Sequence, residues 1–277
     1  MRWLIGTFLA LATLGLPAGA SDPSAPRLLV DATEARAWAG VGRLDLADAG
    51  FCTATLITDR HVLTAAHCLF SRRTGELYAP ERIVFQAGLR NGRAAATRSG
   101  RRFILHDEYR YDDEDKLKRV ATDLAIVELD LPIRNATIVP FQPHRYPRSG
   151  DRVTMVSYAA GREDAPALQE ECNMLDIRGD VLVYSCDVTF GASGSPAFIM
   201  SEDGPRIASI VSAMAQWREK EVSLAASLGS PLETLLARLE ETDPVFRSTI
   251  ASEDGSRPSI ALQLGRDASN GLPQIDR

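Results

Sequence analysis

Seven short runs rich in Val, Ile, Leu, Thr and Phe, separated by Gly, Pro, Asp and Arg clusters, constrain the fold of this chain more than any other feature. They are CTATLIT (52–58), RIVFQAG (82–88), DLAIVELD (123–130), DRVTMVSY (151–158), DVLVYSCDV (180–188), SPAFIM (195–200) and RIASIVSAM (206–214). Runs of this length between turn signals are the strands of an all-β sandwich or barrel. A sustained helical period is clearest in SPLETLLARLEE (230–241), where Leu232, Leu235, Leu236 and Leu239 share one face. That helix is expected to pack on the barrel and close the domain. AAHCLF, around His67, has room for one helical turn. With 277 residues, 45% hydrophobic and 25% charged, the chain can bury one large core or two smaller ones, and no internal repeat is visible.

The first twenty residues, MRWLIGTFLALATLGLPAGA, combine an early Arg2, an apolar run over 3–16, Pro17 and a small-residue end. This is the pattern of a secretory signal peptide over 1–20, cut before Ser21. The run is short against the roughly 20 residues of a membrane span. A secreted or periplasmic protein, free of the membrane after signal-peptide removal, is expected. Residues 21–37 read as a leader, 38–241 as the domain, and 242–277, mixed in Gly, Pro, Ser and charge, as a flexible tail.

Four cysteines, Cys52, Cys68, Cys172 and Cys186, in an exported chain imply two disulfides, with three connectivities open. They lack close metal-ligand spacing, so no metal and no cofactor is expected. A formal net charge of −6 without a basic face gives no reason to invoke nucleic acid. YDDEDK (111–116) lacks the Gly and the terminal Glu of a calcium loop and reads as a solvated insertion.

Three strings carry chemistry. TFGASGSPAF (189–198) holds Ser193, but such small residues also build ordinary tight turns. HVLTAAHC (61–68) brings His67 out at a small-residue corner after an apolar strand end. In ATDLAIVELDLPI (121–133), Asp123 stands just before a run that enters the core, where a carboxylate needs a donor such as an imidazole N–H. Acyl transfer needs this combination: a serine hydroxyl is weak until a base takes its proton, and imidazole titrates near neutral pH. An acid that fixes the imidazole tautomer completes the set. Small Gly191 and Ala192 leave room for the Gly191 and Ser193 N–H groups to form an oxyanion hole.

The order His67, Asp123, Ser193, with TAAHC, DLAIVEL and GASGSP, resembles the trypsin-like, chymotrypsin-fold serine proteases over roughly 38–239. The resemblance implies a double six-stranded antiparallel β-barrel with the site in the cleft between halves. It implies a serine endopeptidase acting on polypeptide through an acyl-enzyme. It also pairs Cys52 with Cys68, bracketing the histidine, and leaves Cys172 with Cys186.

Two departures from the family pattern stand out. Ala192 replaces the Asp, and Ser195 the second Gly, of the Gly-Asp-Ser-Gly-Gly-Pro motif, and no Ile-Val-Gly-Gly start is visible. The switch in which a new amino terminus pairs with that Asp therefore cannot operate. GxSGSP is similar to the bacterial branch that includes the V8-like glutamyl endopeptidases. Asp187 matches in count the acid at the base of trypsin's pocket, which would favour Arg or Lys before the scissile bond. An Asp there also recurs in the V8-like branch, where it need not select a cation. Phe190, Ser212 and Met214 fall among the substrate-binding positions, and Met214 stands where trypsin has a small Gly. The histidine of glutamyl-specific relatives would fall near Val211, against a strict Glu preference. The alternative class is a non-catalytic binding protein on the same fold; esterase-like activity on small acyl substrates is a third.

Overall fold

The computed structural model describes residues 25–47, 50–144 and 146–242. The expected signal peptide and, but for Thr242, the expected tail lie outside these residues, as do the first four residues of the leader.

A two-residue strand, β1 (Arg27–Leu28), and a short helix, α1 (Ala32–Ala37), precede the first barrel. That barrel is built from β2 (Val41–Leu46), β3 (Phe51–Leu56), β4 (His61–Thr64), β5 (Ile83–Ala87), β6 (Ala96–Leu105) and β7 (Ala125–Leu129). It closes in the order β2-β3-β4-β7-β6-β5. A two-residue strand, β8 (Gln142–Pro143), leads into the second set. This comprises β9 (Arg152–Ala159), β10 (Arg162–Arg178), β11 (Val181–Tyr184), β12 (Pro196–Ser201), β13 (Gly204–Trp217) and β14 (Lys220–Ser227). Its order is β9-β10-β11-β14-β13-β12, and β9 pairs with both β10 and β12, so this ring also closes. β1 pairs with β10, and β8 runs parallel to β13. Numbered from its own first strand, each ring reads 1-2-3-6-5-4. The chain repeats its topology without repeating its sequence.

All seven apolar runs became strands, and the double six-stranded fold stands as expected. Most of their residues are buried because each strand lines a ring interior or the seam between rings: all five residues of β7 are buried, while β5 alternates, with Ile83, Phe85 and Ala87 inward. Trp38, Phe141 and Phe198 knit that seam. Their ring centroids lie 6.0, 5.1 and 4.7 Å apart in the pairs Trp38–Phe141, Trp38–Phe198 and Phe141–Phe198. Tilted and offset contacts of this kind add to the area they bury.

The C-terminal helix α3 (Ser230–Thr242) sinks Leu232, Leu235, Leu236 and Leu239 into the larger core. Its Arg238 donates to the Leu105 carbonyl and pairs with Asp107 at 2.7 Å, strapping the second ring back over the first. The acidic insertion is not simply solvated chain. Asp115 accepts from the N–H groups of Leu117 and Lys118 at 3.0 and 3.1 Å and caps a short helix, α2 (Lys116–Ala121). Asp is a strong N-cap because its carboxylate satisfies donors the first turn leaves open. Two disulfides form, Cys52–Cys68 and Cys172–Cys186, as the resemblance implied.

Candidate active site

His67 emerges from a 3-10 turn (Ala66–Leu69) at the end of β4. The turn is fixed from below by Cys68, whose disulfide partner Cys52 lies on β3. Asp123 follows α2 and precedes β7; its side chain is 2% exposed, against 21% for His67. Such burial of a carboxylate is tolerated only where donors replace water. Three do so here. The His67 backbone N–H donates to Asp123 Oδ1 at 2.8 Å, His67 Nδ1 lies 2.6 Å from Oδ2, and the Ser212 hydroxyl donates to Oδ2 at 2.5 Å. The carboxylate thus holds both the turn and the ring of His67, which aims Nε2 away from it.

Ser193 sits in the loop between β11 and β12. It shares a cleft of about 200 Å³ with His67, Arg72, Val188, Thr189, Phe190, Val211, Ser212, Ala213 and Met214. Among the described residues its hydroxyl makes no hydrogen bond; in unliganded sites the nucleophile–base contact is often long and tightens when substrate binds.

The loop around Ser193 turns through Gly191 at φ +94° and Gly194 at φ +80°. A Cβ on Gly191 would stand 2.3 Å from Phe51, and one on Gly194 would stand 2.1 Å from the Thr53 carbonyl, so both positions demand glycine. Four consecutive carbonyls of this loop are held. Phe190 O accepts from Ala160 N–H at 2.7 Å, Gly191 O from the Thr53 hydroxyl at 3.1 Å, Ala192 O from Ser195 N–H at 3.0 Å, and Ser193 O from Thr53 N–H at 2.8 Å. In a trans peptide the N–H points opposite to the carbonyl. Anchoring Phe190 O and Ala192 O therefore fixes the Gly191 and Ser193 N–H groups, which have no acceptor among the described residues. Ala192 itself is fully buried.

Of the expected substrate-binding residues, Phe190, Ser212 and Met214 line the cleft with Ser193. Asp187 does not. It is exposed and lines an adjoining cavity of about 420 Å³, which shares Val188 and Met214 with the cleft. Its charge acts on the Arg162 guanidinium, which burial pulls below its ordinary value and Asp187 pushes back up.

Four neighbours of the site were missed in the sequence. Thr53 reads as one more β-branched strand former. Arg72 lies in a charged loop, with its guanidinium 5.7 Å from the Phe190 ring centre across the cleft. Tyr109 and Tyr111 border a third cavity, of about 640 Å³, on the Asp123 side of His67. None stands in a pattern with a chemical meaning of its own.

Two closed six-stranded rings, with a His–Asp pair on one and a glycine-flanked serine loop on the other, define the class of chymotrypsin-fold serine proteases. Residues 52–204 match the model of the trypsin-like peptidase domain, and the chain belongs to that family. Among solved structures it is similar to a Glu endopeptidase determined in complex with MPD, at 14% identity and a TM-score of 0.65, covering 79% of this chain and 98% of that one. It is also similar to the thermostable serine protease AL20 from an extremophilic microorganism, at 16% identity and a TM-score of 0.60, covering 75% and 100%. No curated protein matches the chain in sequence.

Proposed function

We propose that the chain is an exported serine endopeptidase whose catalytic unit spans 38–241. Ser193 attacks the scissile carbonyl, His67 takes its proton and returns it to the leaving amine, and Asp123 fixes the imidazole tautomer. The Gly191 and Ser193 N–H groups receive the oxyanion. The observation that carries this reading is the shared cleft: a carboxylate-held His67 and Ser193 face one space, beside two backbone donors left without acceptors. Such donors are worth about 100- to 1000-fold in rate each.

The substrate class follows from the cleft walls. Val188, Phe190, Val211, Ala213 and Met214 border the space next to Ser193, with Arg72, Thr189 and Ser212 as its polar lining, and Asp187 lines the adjoining cavity instead. An apolar residue of modest size before the scissile bond fits these walls. Two disulfides and a secretory-type amino terminus support an extracellular or periplasmic setting.

The test is to treat the mature chain with a fluorophosphonate probe and to profile its cleavage of a mixed peptide library, with Ser193→Ala as control. Labelling and cleavage confined to the wild type are expected, with cuts after apolar residues. Equal labelling of the variant removes Ser193 from its role; cuts after Arg and Lys return the selection to Asp187.

A further inference from the structure

We propose that Thr53 is the positioning residue that keeps the oxyanion loop in its active shape, in place of the carboxylate that Ala192 lacks. This rests on the proteolytic reading above. A loop with two glycines at positive φ has more backbone states to lose than any other, so its order must come from outside itself. Thr53 supplies that order from the opposite barrel, and it is fully buried.

Every polar group of Thr53 is used. Its N–H donates to Ser193 O at 2.8 Å. Its carbonyl accepts the Thr64 hydroxyl at 2.8 Å and would lie 2.1 Å from any Cβ at position 194. Its hydroxyl accepts the Tyr158 N–H at 3.0 Å and turns its single proton toward the carbonyls of Gly191 at 3.1 Å and Tyr158 at 3.2 Å. The peptide Gly191–Ala192 lies between the two peptides that supply the oxyanion donors. It links the two anchored donor peptides, and the dihedral angles on either side of it set how those two N–H groups stand relative to each other. The Thr53 hydroxyl and the Thr189 carbonyl, which accepts Ala192 N–H at 3.0 Å, hold that peptide at its two ends.

The position has a second consequence. Cys52, the preceding residue on β3, is tied to Cys68 beside His67. Two neighbouring residues on one strand therefore fix the base's turn and the nucleophile's loop.

The experiment compares the wild type with Thr53→Val, which keeps the shape and removes the hydroxyl, and Thr53→Ser, which keeps the hydroxyl. Turnover of a peptide substrate, affinity for a peptide aldehyde and melting temperature are measured. The aldehyde adds to Ser193 and places an oxygen in the hole, so its affinity reads the hole directly. Thr53→Val is expected to lower kcat by about 10- to 100-fold, somewhat less than loss of a donor outright, with KM within about 3-fold. Aldehyde affinity should fall by a similar factor, and Thr53→Ser should recover most of both.

Wild-type kcat and aldehyde affinity in Thr53→Val overturn the clamp. So does a Thr53→Ser variant as slow as Val, or a lowered melting temperature with aldehyde affinity intact, which marks a purely structural role. If Val does not fold, Thr53→Ala against Thr53→Ser reads the same hydroxyl. A wild type that neither labels nor turns over overturns the proteolytic reading and the clamp with it; an active wild type with an indifferent Val variant overturns the clamp alone.

Discussion

The hydroxyl of Ser212, on β13 of the second barrel, donates at 2.5 Å to the carboxylate of Asp123 on the first. The proposed orienting acid is thus completed across the seam. Asp123→Asn offers the ring the wrong hydrogen-bond partner and is expected to lower kcat about 10,000-fold, as in triads of this type. Ser212→Ala removes one of three donors and leaves the two from His67, for a loss of roughly 10-fold. Steady-state kinetics on both variants check the order; a Ser212→Ala loss as deep as that of Asp123→Asn would count against the assignment.

Gly191→Ala tests the donor loop by geometry. Its Cβ would meet Phe51 at 2.3 Å and the Ala159 Cα at 3.0 Å, at a φ of +94°. The loop must move, and the Gly191 N–H with it. A loss of about 100- to 1000-fold in kcat is expected, with the far-ultraviolet circular dichroism unchanged.

The two disulfides separate stability from activity. They join residues 16 and 14 apart, loops for which removal costs about 3 kcal/mol each in the chain-entropy view. Replacing either pair by alanine should lower the urea midpoint similarly. Only the pair Cys52 and Cys68 flanks the histidine turn, so its loss should also lower kcat in the folded protein. Equal activity losses for both pairs would remove that distinction.

Burial pulls the imidazoles of His106 and His144 below their ordinary value near 6.5, against the pull of Asp107, Glu108 and Asp151. The unfolded chain then binds more protons than the folded one just below that value. These rings leave stability untouched above about pH 6.5 and reduce it as pH falls from there toward their lowered folded-state values. Denaturation midpoints are expected to fall between about pH 7.5 and 5.5, and the slope should flatten in a His106→Gln, His144→Gln double variant. An unchanged slope would assign the loss to other groups.

Met214 is 54% exposed at the mouth of the cleft it shares with Ser193. Met214→Gly should open that wall and raise kcat/KM for a large apolar residue, such as Phe, relative to Ala by about 10-fold. Peptide pairs that differ at this one residue measure the ratio. No change would place the selecting wall elsewhere.

The strands were legible because apolar runs between turn residues have one cheap solution, and each of the seven took it. His67, Asp123 and Ser193 stand out because their strings hold residue types with one joint chemical use, and the fold sets His67 against Asp123 and puts His67 and Ser193 on one cleft. The helix α2 was hidden by its charge: the Asp that caps it looked like part of a solvated run. A count along the chain does not say whether Asp187 lines the cleft of Ser193 itself or the cavity that adjoins it, and the fold puts it in the second. Thr53 was hidden most deeply. Its residue type is ordinary for a strand, and the carbonyl its hydroxyl holds lies 138 residues away.

His67 and Asp123 stand on one ring, Ser193 and Ser212 on the other, and Thr53 reaches from the first to hold the loop of the second. Each ring can complete its own strands and still contain no active site. The proposed active site is therefore complete only where the two rings meet. An extended chain carries all three proposed catalytic residues, but the site they would form depends on contacts between the rings.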